Sequence, residues 1–363
     1  MEGISIIICC HNSASLLPKT LAHLMAQRSP RTSWEVVLVD NGSTDDTTRV
    51  ARAWWRRASV PLRVVEEPRL GVRYARERGL VEANYAFLGF VDDDNWVADD
   101  WVRTAHDIIS TNSSLGALGS IRIPAFEVAP PCWFENVHSA YAILTDSEVA
   151  QIEQPIKYLP TAGLCVRKAA WEKLIQNGFR LQLTGSIGRK IVGGEDAELT
   201  MSLRLGGWEL RIDPRLRLQH FMPSQRLQWS YMRRLLRDYG ASDVLLDAYS
   251  EHSVSLSPGF RRWLSERWWY QFGSSLGRIV RRPRALTVAL FSDGDGRQDI
   301  IQIEPLLGRA LGLVRYNRRY GQVRREVRDA PWRARQDSSE NCFGARTKDK
   351  TPAAQTSVRG QFE

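Results

Sequence analysis

Apolar runs alternate with amphipathic stretches along the first two hundred residues. Ile4 to Cys10 is continuously apolar, as expected of a strand covered on both faces. It ends in His11-Asn12-Ser13, after which Leu16, Leu17, Leu21 and Leu24 recur at helical spacing. Trp34 to Val39 repeats the pattern and closes on Asp40-Asn41-Gly42-Ser43-Thr44-Asp45, ahead of a helix running to Trp55. Pro61 to Glu66 is a third short strand, and Leu70 to Glu82 a helix opened by Gly71. Ala86 to Val91 is a fourth strand; its end meets Asp92-Asp93-Asp94, and a turn leads on to a helix with Asp99 and Asp100 near its start. Strands alternating with helices predict an α/β fold: a doubly wound, mostly parallel sheet with helices on both faces. Ligands of such sheets gather beyond the carboxyl ends of the strands. His11, Asp40 and Asp92 to Asp94 all fall there, so one shared site is expected.

Further along the pattern is less regular. Ser120 to Pro131 carries strand and turn material, and Trp133, Phe134 and Tyr141 can either pack or touch a ligand. Tyr158 to Arg167 reads as a strand in which Gly163 either lets a ligand approach the backbone or marks a bulge. Ala169 to Asn177 is helical. In Ile191-Val192-Gly193-Gly194-Glu195-Asp196-Ala197-Glu198, two glycines lead acids into a helix that runs to Leu205. Acids favour a helix N-terminus, which is sufficient to account for Glu198. An acid presented into a cleft is also a candidate general base. Glu209 to Leu218 is a strand region followed by His220, a candidate ligand at a strand end.

Three adjacent carboxylates repel one another and do not enter a core unpaired. Asp92-Asp93-Asp94 therefore marks a chain that meets solvent, a cation or both. In extended geometry positions 92 and 94 point the same way, and such oxygens suit a hard divalent ion that also grips phosphate. A solvated acidic turn is the plain alternative.

Composition changes the picture mainly at the C-terminus. The 363 residues are 43% hydrophobic and 9% aromatic, enough for one large domain with appendages or for two domains. The net charge of +9 is uneven: seven Arg face one acid between Arg261 and Arg284, and nine face two between Arg309 and Arg335. Trp263, Trp268, Trp269, Tyr270 and Phe272 interleave with the first of these windows. Such a helix either lies on an anionic membrane surface or packs its aromatics on the core. No fold motif supports a nucleic-acid partner, and none is expected. Residues 224–330 are expected to form a helical basic extension to a catalytic domain over 1–223, and the polar stretch 331–363 a disordered tail. The five cysteines include no CxxC pair, which argues against a disulfide framework or a zinc site. Met1-Glu2-Gly3-Ile4-Ser5 enters a strand without a basic region, and no apolar run is long enough to span a bilayer. A cytoplasmic protein, peripheral on the inner membrane face, is the expectation.

Taken together these residues resemble family 2 of the nucleotide-sugar glycosyltransferases, which have the GT-A fold, over roughly Gly3 to Pro223. Val37-Leu38-Val39-Asp40-Asn41-Gly42-Ser43-Thr44-Asp45 is similar to that family's nucleotide-binding loop, and Gly71, Ala75-Arg76 and Gly79 to its next motif. Asp92-Asp93-Asp94 resembles its DxD motif, Glu195-Asp196 its second acidic motif and His220 its metal-binding histidine. The resemblance implies an inverting enzyme that uses Mg²⁺ or Mn²⁺. It would move a sugar from a nucleoside-diphosphate donor to a hydroxyl of a glycan or lipid-linked acceptor, in cell-surface polysaccharide synthesis. His11, Asn12, Asp40, Asn41, Gly42, Ser43, Arg76, Asp92, Asp93 and Gly163 would bind the donor. Asp94, Asp92 and His220 would hold the metal. Asp196 would be the base, with Glu195 orienting it or touching the acceptor. Three positions depart from the common pattern: Asn41 and Asn95 stand where acids are frequent, and Glu77 where Asn often follows the Ala-Arg pair. The alternative is a nucleotide-sugar-binding protein of the same fold without catalysis.

Overall fold

A computed structural model of the chain describes residues 1–28, 32–152, 155–183, 193–250, 259–292 and 294–334. Ile191, Val192, Cys342 and the tail beyond 334 lie outside the described residues. Eight strands form one sheet: β1 Ile4–Cys10, β2 Trp34–Asp40, β3 Leu62–Glu66, β4 Phe87–Phe90, β5 Asn95–Val97, β6 Leu115–Phe126, β7 Leu164–Arg167 and β8 Glu209–Met222, in spatial order β3-β2-β1-β4-β7-β6-β8-β5. β1 to β4 run parallel; β7 opposes both β4 and β6; β8 is parallel to β6, and β5 is antiparallel to β8. The sheet is mostly parallel, as the alternation of strands and helices predicts.

Its two faces explain the unbroken apolar runs. Side chains alternate across a strand, so Ile4, Ile6, Ile8 and Cys10 join one core and Ile7 the other. The first core is capped by α1 Leu17–Met25, α2 Thr47–Trp55 and α4 Trp101–Ser110; the second by α3 Val72–Glu82, α6 Lys168–Gln176 and α7 Glu195–Leu205. A short helix, α5 Asp146–Val149, lies in the irregular region before β7.

Three expectations shift. The turn after Asp94 contains β5, a three-residue strand. The strand expected over Tyr158 to Arg167 shrinks to β7, because Thr161 to Gly163 makes a turn in which Gly163 has φ +67°. The strand expected to end at Leu218 runs on to Met222, carrying His220 within it.

After β8 comes α8, Trp229–Leu246, crossed closely by the helix Gln298–Arg315. The approach is backbone to backbone: a β-carbon on Gly240 would sit 2.0 Å from the Pro305 carbonyl oxygen. Buried Glu304 fastens the crossing, at 2.6 Å from Arg233 Nε and 2.7 Å from Arg237 Nη2. Residues 1–333 form one compact unit. Among the described residues no helix is long and apolar enough to cross a membrane.

Candidate active site

The pairing of β5 with β8 decides the site. Asn95 stands opposite His220, and the Phe221 N–H donates to the Asp94 carbonyl at 2.9 Å. Residues more than a hundred positions apart thereby become neighbours: His220 Nε2 is 3.5 Å from Asp94 Oδ1. Arg226, in the turn Ser224–Leu227 between β8 and α8, joins them, with Nη1 3.0 Å from Asp94 Oδ2. The Asn95 amide donates to Asp94 Oδ1 at 2.9 Å. Burial opposes the charge on Asp94, but Arg226 and then His220 outweigh it and hold the carboxyl well below the usual range.

The neighbouring acids behave otherwise. Burial, reinforced by the Asp94 charge, pushes Asp93 up to about 7, although the Ser13 hydroxyl donates to its carboxylate. Burial also raises Asp92, against the pull of Arg76. The three acids therefore hold unequal shares of charge at the end of β4.

A second acid run faces the same space from the start of α7. Glu195 Oε1 accepts from Arg76 Nη1 at 2.8 Å, and Arg76 Nη2 donates to Thr161 Oγ1 at 2.6 Å. Burial pushes Glu195 up to about 7, with Arg76 opposing the shift and Asp196 adding to it. Asp196 Oδ1 accepts its helix's own Ala197 N–H at 2.8 Å. Gly193 and Gly194 let the chain pass Tyr239: a β-carbon on Gly193 would meet the tyrosine ring at 2.3 Å. Glu198 is fully buried and accepts from the Gln182 and Leu183 N–H groups and the Tyr249 hydroxyl at 2.6–2.8 Å. It ties the chain at Gln182 and Leu183, and Tyr249, to α7.

The loops after β1 and β2 are stitched to each other. Asp40 Oδ1 accepts the Ser43 N–H at 3.1 Å; Asn12 Oδ1 accepts the Thr44 N–H at 2.8 Å and its own N–H donates to Ser43 Oγ; His11 Nδ1 lies 2.8 Å from the Asn41 carbonyl. The Asn41 side chain is buried and fully used within the protein. Its amide donates to the Glu67 and Arg69 carbonyls and its oxygen accepts the Gly71 N–H, so it ties the β2 and β3 loops to α3. Gly42, with φ +68°, turns this loop. Thr161 and Ala162, beside Gly163, line the central cavity, and at Gly163 itself a β-carbon would meet Leu218 at 2.2 Å and Ser120 at 2.8 Å, so the glycine lets the sheet pack closely there.

The acids enclose a cavity of about 290 Å³ walled by Arg76, Asp92 to Asp94, Asp196 and His220. Cys9 lies on its wall, its thiol pushed up to about 12 by burial. A larger cavity of about 620 Å³ shares Asp196 and Tyr239 with it and is otherwise lined by Arg122, Ile143, Ile156 and their neighbours. Among the described residues no three His, Cys, Asp or Glu side chains group to cage a metal. Asp94 and His220 do fit an ion that takes its remaining ligands from phosphate oxygens and water.

Sequence reasoning did not single out Arg226, Thr161 or Tyr239. Arg226 follows His220 by six positions, a weak signal in an arginine-rich stretch. Tyr239 lies on α8 among apolar residues at helical spacing, where nothing in the sequence sets it apart.

Residues 5–142 match the family profile described as Glycosyl transferase family 2. Glycosyltransferase AglE of Haloferax volcanii is 31% identical over 107 residues, 30% of this chain and 35% of that protein. The succinoglycan biosynthesis protein ExoM of Rhizobium meliloti is 25% identical over 236 residues, 64% of this chain and 71% of that protein. The chain spans about a third of the length of the curated relatives it matches first, 35% of AglE and 28% of a Staphylococcus aureus TarS. Among solved structures, the mannosyltransferase PcManGT from Pyrobaculum calidifontis, in complex with GDP-Man and Mn2+, superposes with TM-score 0.53 at 16% identity, covering 87% of each chain. That likeness concerns the fold. The segment 5–142 thus carries the profile of glycosyl transferase family 2, and the chain around it has a GT-A-type α/β fold.

Proposed function

We propose that the protein transfers a sugar, with inversion, from a nucleoside-diphosphate donor to an acceptor hydroxyl. The observation that carries this is the convergence of two acid runs and two arginines on one cavity. Asp40 and the stitched loops after β1 and β2 would receive the nucleoside, and the Arg76 charge, held in place by Glu195, would offset from a distance the charge gathering on the departing diphosphate. A divalent ion between Asp94 and His220 would supply Lewis-acid neutralisation of that diphosphate. Asp196 is the base. It stands where the two cavities meet, so an acceptor lodged in the larger one presents its hydroxyl to this carboxylate, which takes the proton as the oxygen attacks the anomeric carbon. Glu195 is held by Arg76 and positions it. The relation to ExoM, named for succinoglycan biosynthesis, supports a polysaccharide acceptor.

Asp196→Asn tests the assignment. Donor consumption in the presence of acceptor should fall by about 10²–10⁴-fold, with UDP or GDP binding kept. Turnover near the parent rate would remove Asp196 from the mechanism.

We further infer that the C-terminal helices rest on an anionic membrane surface. Trp269, Leu276 and Val280 form an exposed apolar stripe on the helix Trp268–Val280, beside the buried line of Ser275 and Ile279. Leu290 and Phe291, 61% and 83% exposed, end the next helix, and Arg278, Arg281, Arg282 and Arg284 are exposed nearby. Apolar insertion flanked by cations is the pattern of interfacial binding. The protein should pellet with anionic vesicles at low salt and not with neutral ones; serine at 269, 276 and 280 together should release it. No pelleting at low salt would refute the membrane role.

A further inference from the structure

We propose that Arg226 is a resident counter-cation of the Asp94–His220 pair, displaced by the divalent ion and handed to the donor's diphosphate. The hand-over rests on the glycosyltransfer role proposed above. Arg226 Nη1 lies 3.0 Å from Asp94 Oδ2 and 3.4 Å from His220 Nε2, in contact with both groups that would ligate the metal. The guanidinium and a metal ion cannot share these partners. Two cations so close repel strongly in a poorly solvated site, and the guanidinium, on Asp94 Oδ2, also lies against the His220 Nε2 lone pair that a metal would need.

Exposure sets the direction of exchange. The Asp94 side chain is 3% exposed and that of Arg226 33%, so the cation is the movable outer member and the carboxylate the fixed inner one. The backbone beneath Arg226 is pinned: its N–H donates to the Pro223 carbonyl at 2.9 Å, and its own carbonyl accepts the Tyr141 hydroxyl at 3.0 Å. Only the side chain has to swing. Arg226 lines the same cavity as Arg76, whose guanidinium is already committed to Glu195 and Thr161. Once freed from Asp94, the planar fork of Arg226 suits bidentate contact with phosphate oxygens. In the empty enzyme Arg226 spares Asp94 the cost of an unpaired buried carboxylate. It also disfavours metal until phosphate arrives to receive the guanidinium, so metal and nucleotide bind cooperatively.

The test titrates Mn²⁺ alone into nucleotide-free protein, following free Mn²⁺ by electron paramagnetic resonance. Arg226→Gln should bind Mn²⁺ at least tenfold more tightly than the parent, and adding His220→Ala should abolish that gain. Arg226→Lys keeps a cation and should bind Mn²⁺ as weakly as the parent, which separates charge from packing if the Gln variant melts early. With saturating Mn²⁺, UDP and GDP should bind Arg226→Gln about tenfold more weakly than the parent. Unchanged or weaker Mn²⁺ binding by Arg226→Gln would overturn the counter-cation, and unchanged nucleotide binding the hand-over. If neither nucleotide binds the parent, the hand-over falls together with the functional proposal, while the Mn²⁺ titration separately decides whether Arg226 competes with metal.

Discussion

Asp92-Asp93-Asp94 ends a strand, whereas Glu195-Asp196-Glu198 begins a helix, and each run meets an arginine from a distant element. Arg226 comes to the first from the turn after β8, and Arg76 to the second from α3. In each run one acid takes the guanidinium, one takes a hydroxyl, and one lines the cavity without an ion pair among the described contacts. In the first run Asp94 has the arginine, Asp93 the Ser13 hydroxyl, and Asp92 the open side. In the second Glu195 has the arginine, Glu198 the Tyr249 hydroxyl, and Asp196 the open side. The pairs differ in how deeply they sit. Glu195 and Arg76 are both about a tenth exposed, whereas Arg226 is a third exposed over a buried Asp94. The deep pair is built to stay and the shallow one to exchange.

That difference orders the expected effects. Arg76→Met should be the most destabilising change, by about 3 kcal/mol in chemical denaturation, because it strands Glu195 in a dry site. Adding Glu195→Gln should recover part of the loss, giving a coupling energy characteristic of a contacting pair. A loss below about 1 kcal/mol would mean that the pair is not structural. Asp94→Asn should cost less, about 1–2 kcal/mol, since solvent screens the exposed guanidinium it leaves behind.

A pH titration sharpens the comparison next. Asp93, Glu195 and Glu198 are raised from ordinary values of 3.8 and 4.5 to about 7. The native state then binds more protons than the unfolded chain across that window, so stability falls as pH rises. The melting temperature should decline from about pH 5 to about pH 8. Asp94, held low, acts oppositely: its contribution is present above its ordinary 3.8 and is lost on acidification. A melting temperature that rises from pH 5 to 8 would contradict the raised carboxyls. Smallest of all, Asp196→Asn should change stability by no more than about 0.5 kcal/mol, because among the described residues its carboxylate bonds only to its own helix.

Much of the architecture could be read from sequence, since β1 and β2 are buried on both faces and their apolar runs have no competing helical reading. Asp40, Asp94, Asp196 and His220 were legible as acids and a histidine at element ends. A shared site was expected from that placement and from the family resemblance; what the sequence did not show is the device that brings Asp94 to His220, β5, three residues long and indistinguishable from a turn until it pairs with β8. Arg226 was invisible for a related reason: one arginine among many has no pattern, and its meaning comes from the strand that ends four positions earlier. Gly163 and Asn41 show how far packing context decides what a residue does. Both residue types suit ligand contact, yet here the glycine relieves a clash with Leu218 and the amide joins three loop backbones. Composition cannot distinguish these uses, because each depends on what packs alongside.

The central claim is that the cavity between the two acid runs receives a nucleoside diphosphate. Calorimetric titration of UDP and GDP in the presence of Mn²⁺ tests it most directly. At least one nucleotide should bind the parent protein, bind Asp94→Ala at least about tenfold more weakly, and bind Asp196→Asn as it binds the parent. Failure of both nucleotides to bind, or equal affinity for Asp94→Ala, would contradict it.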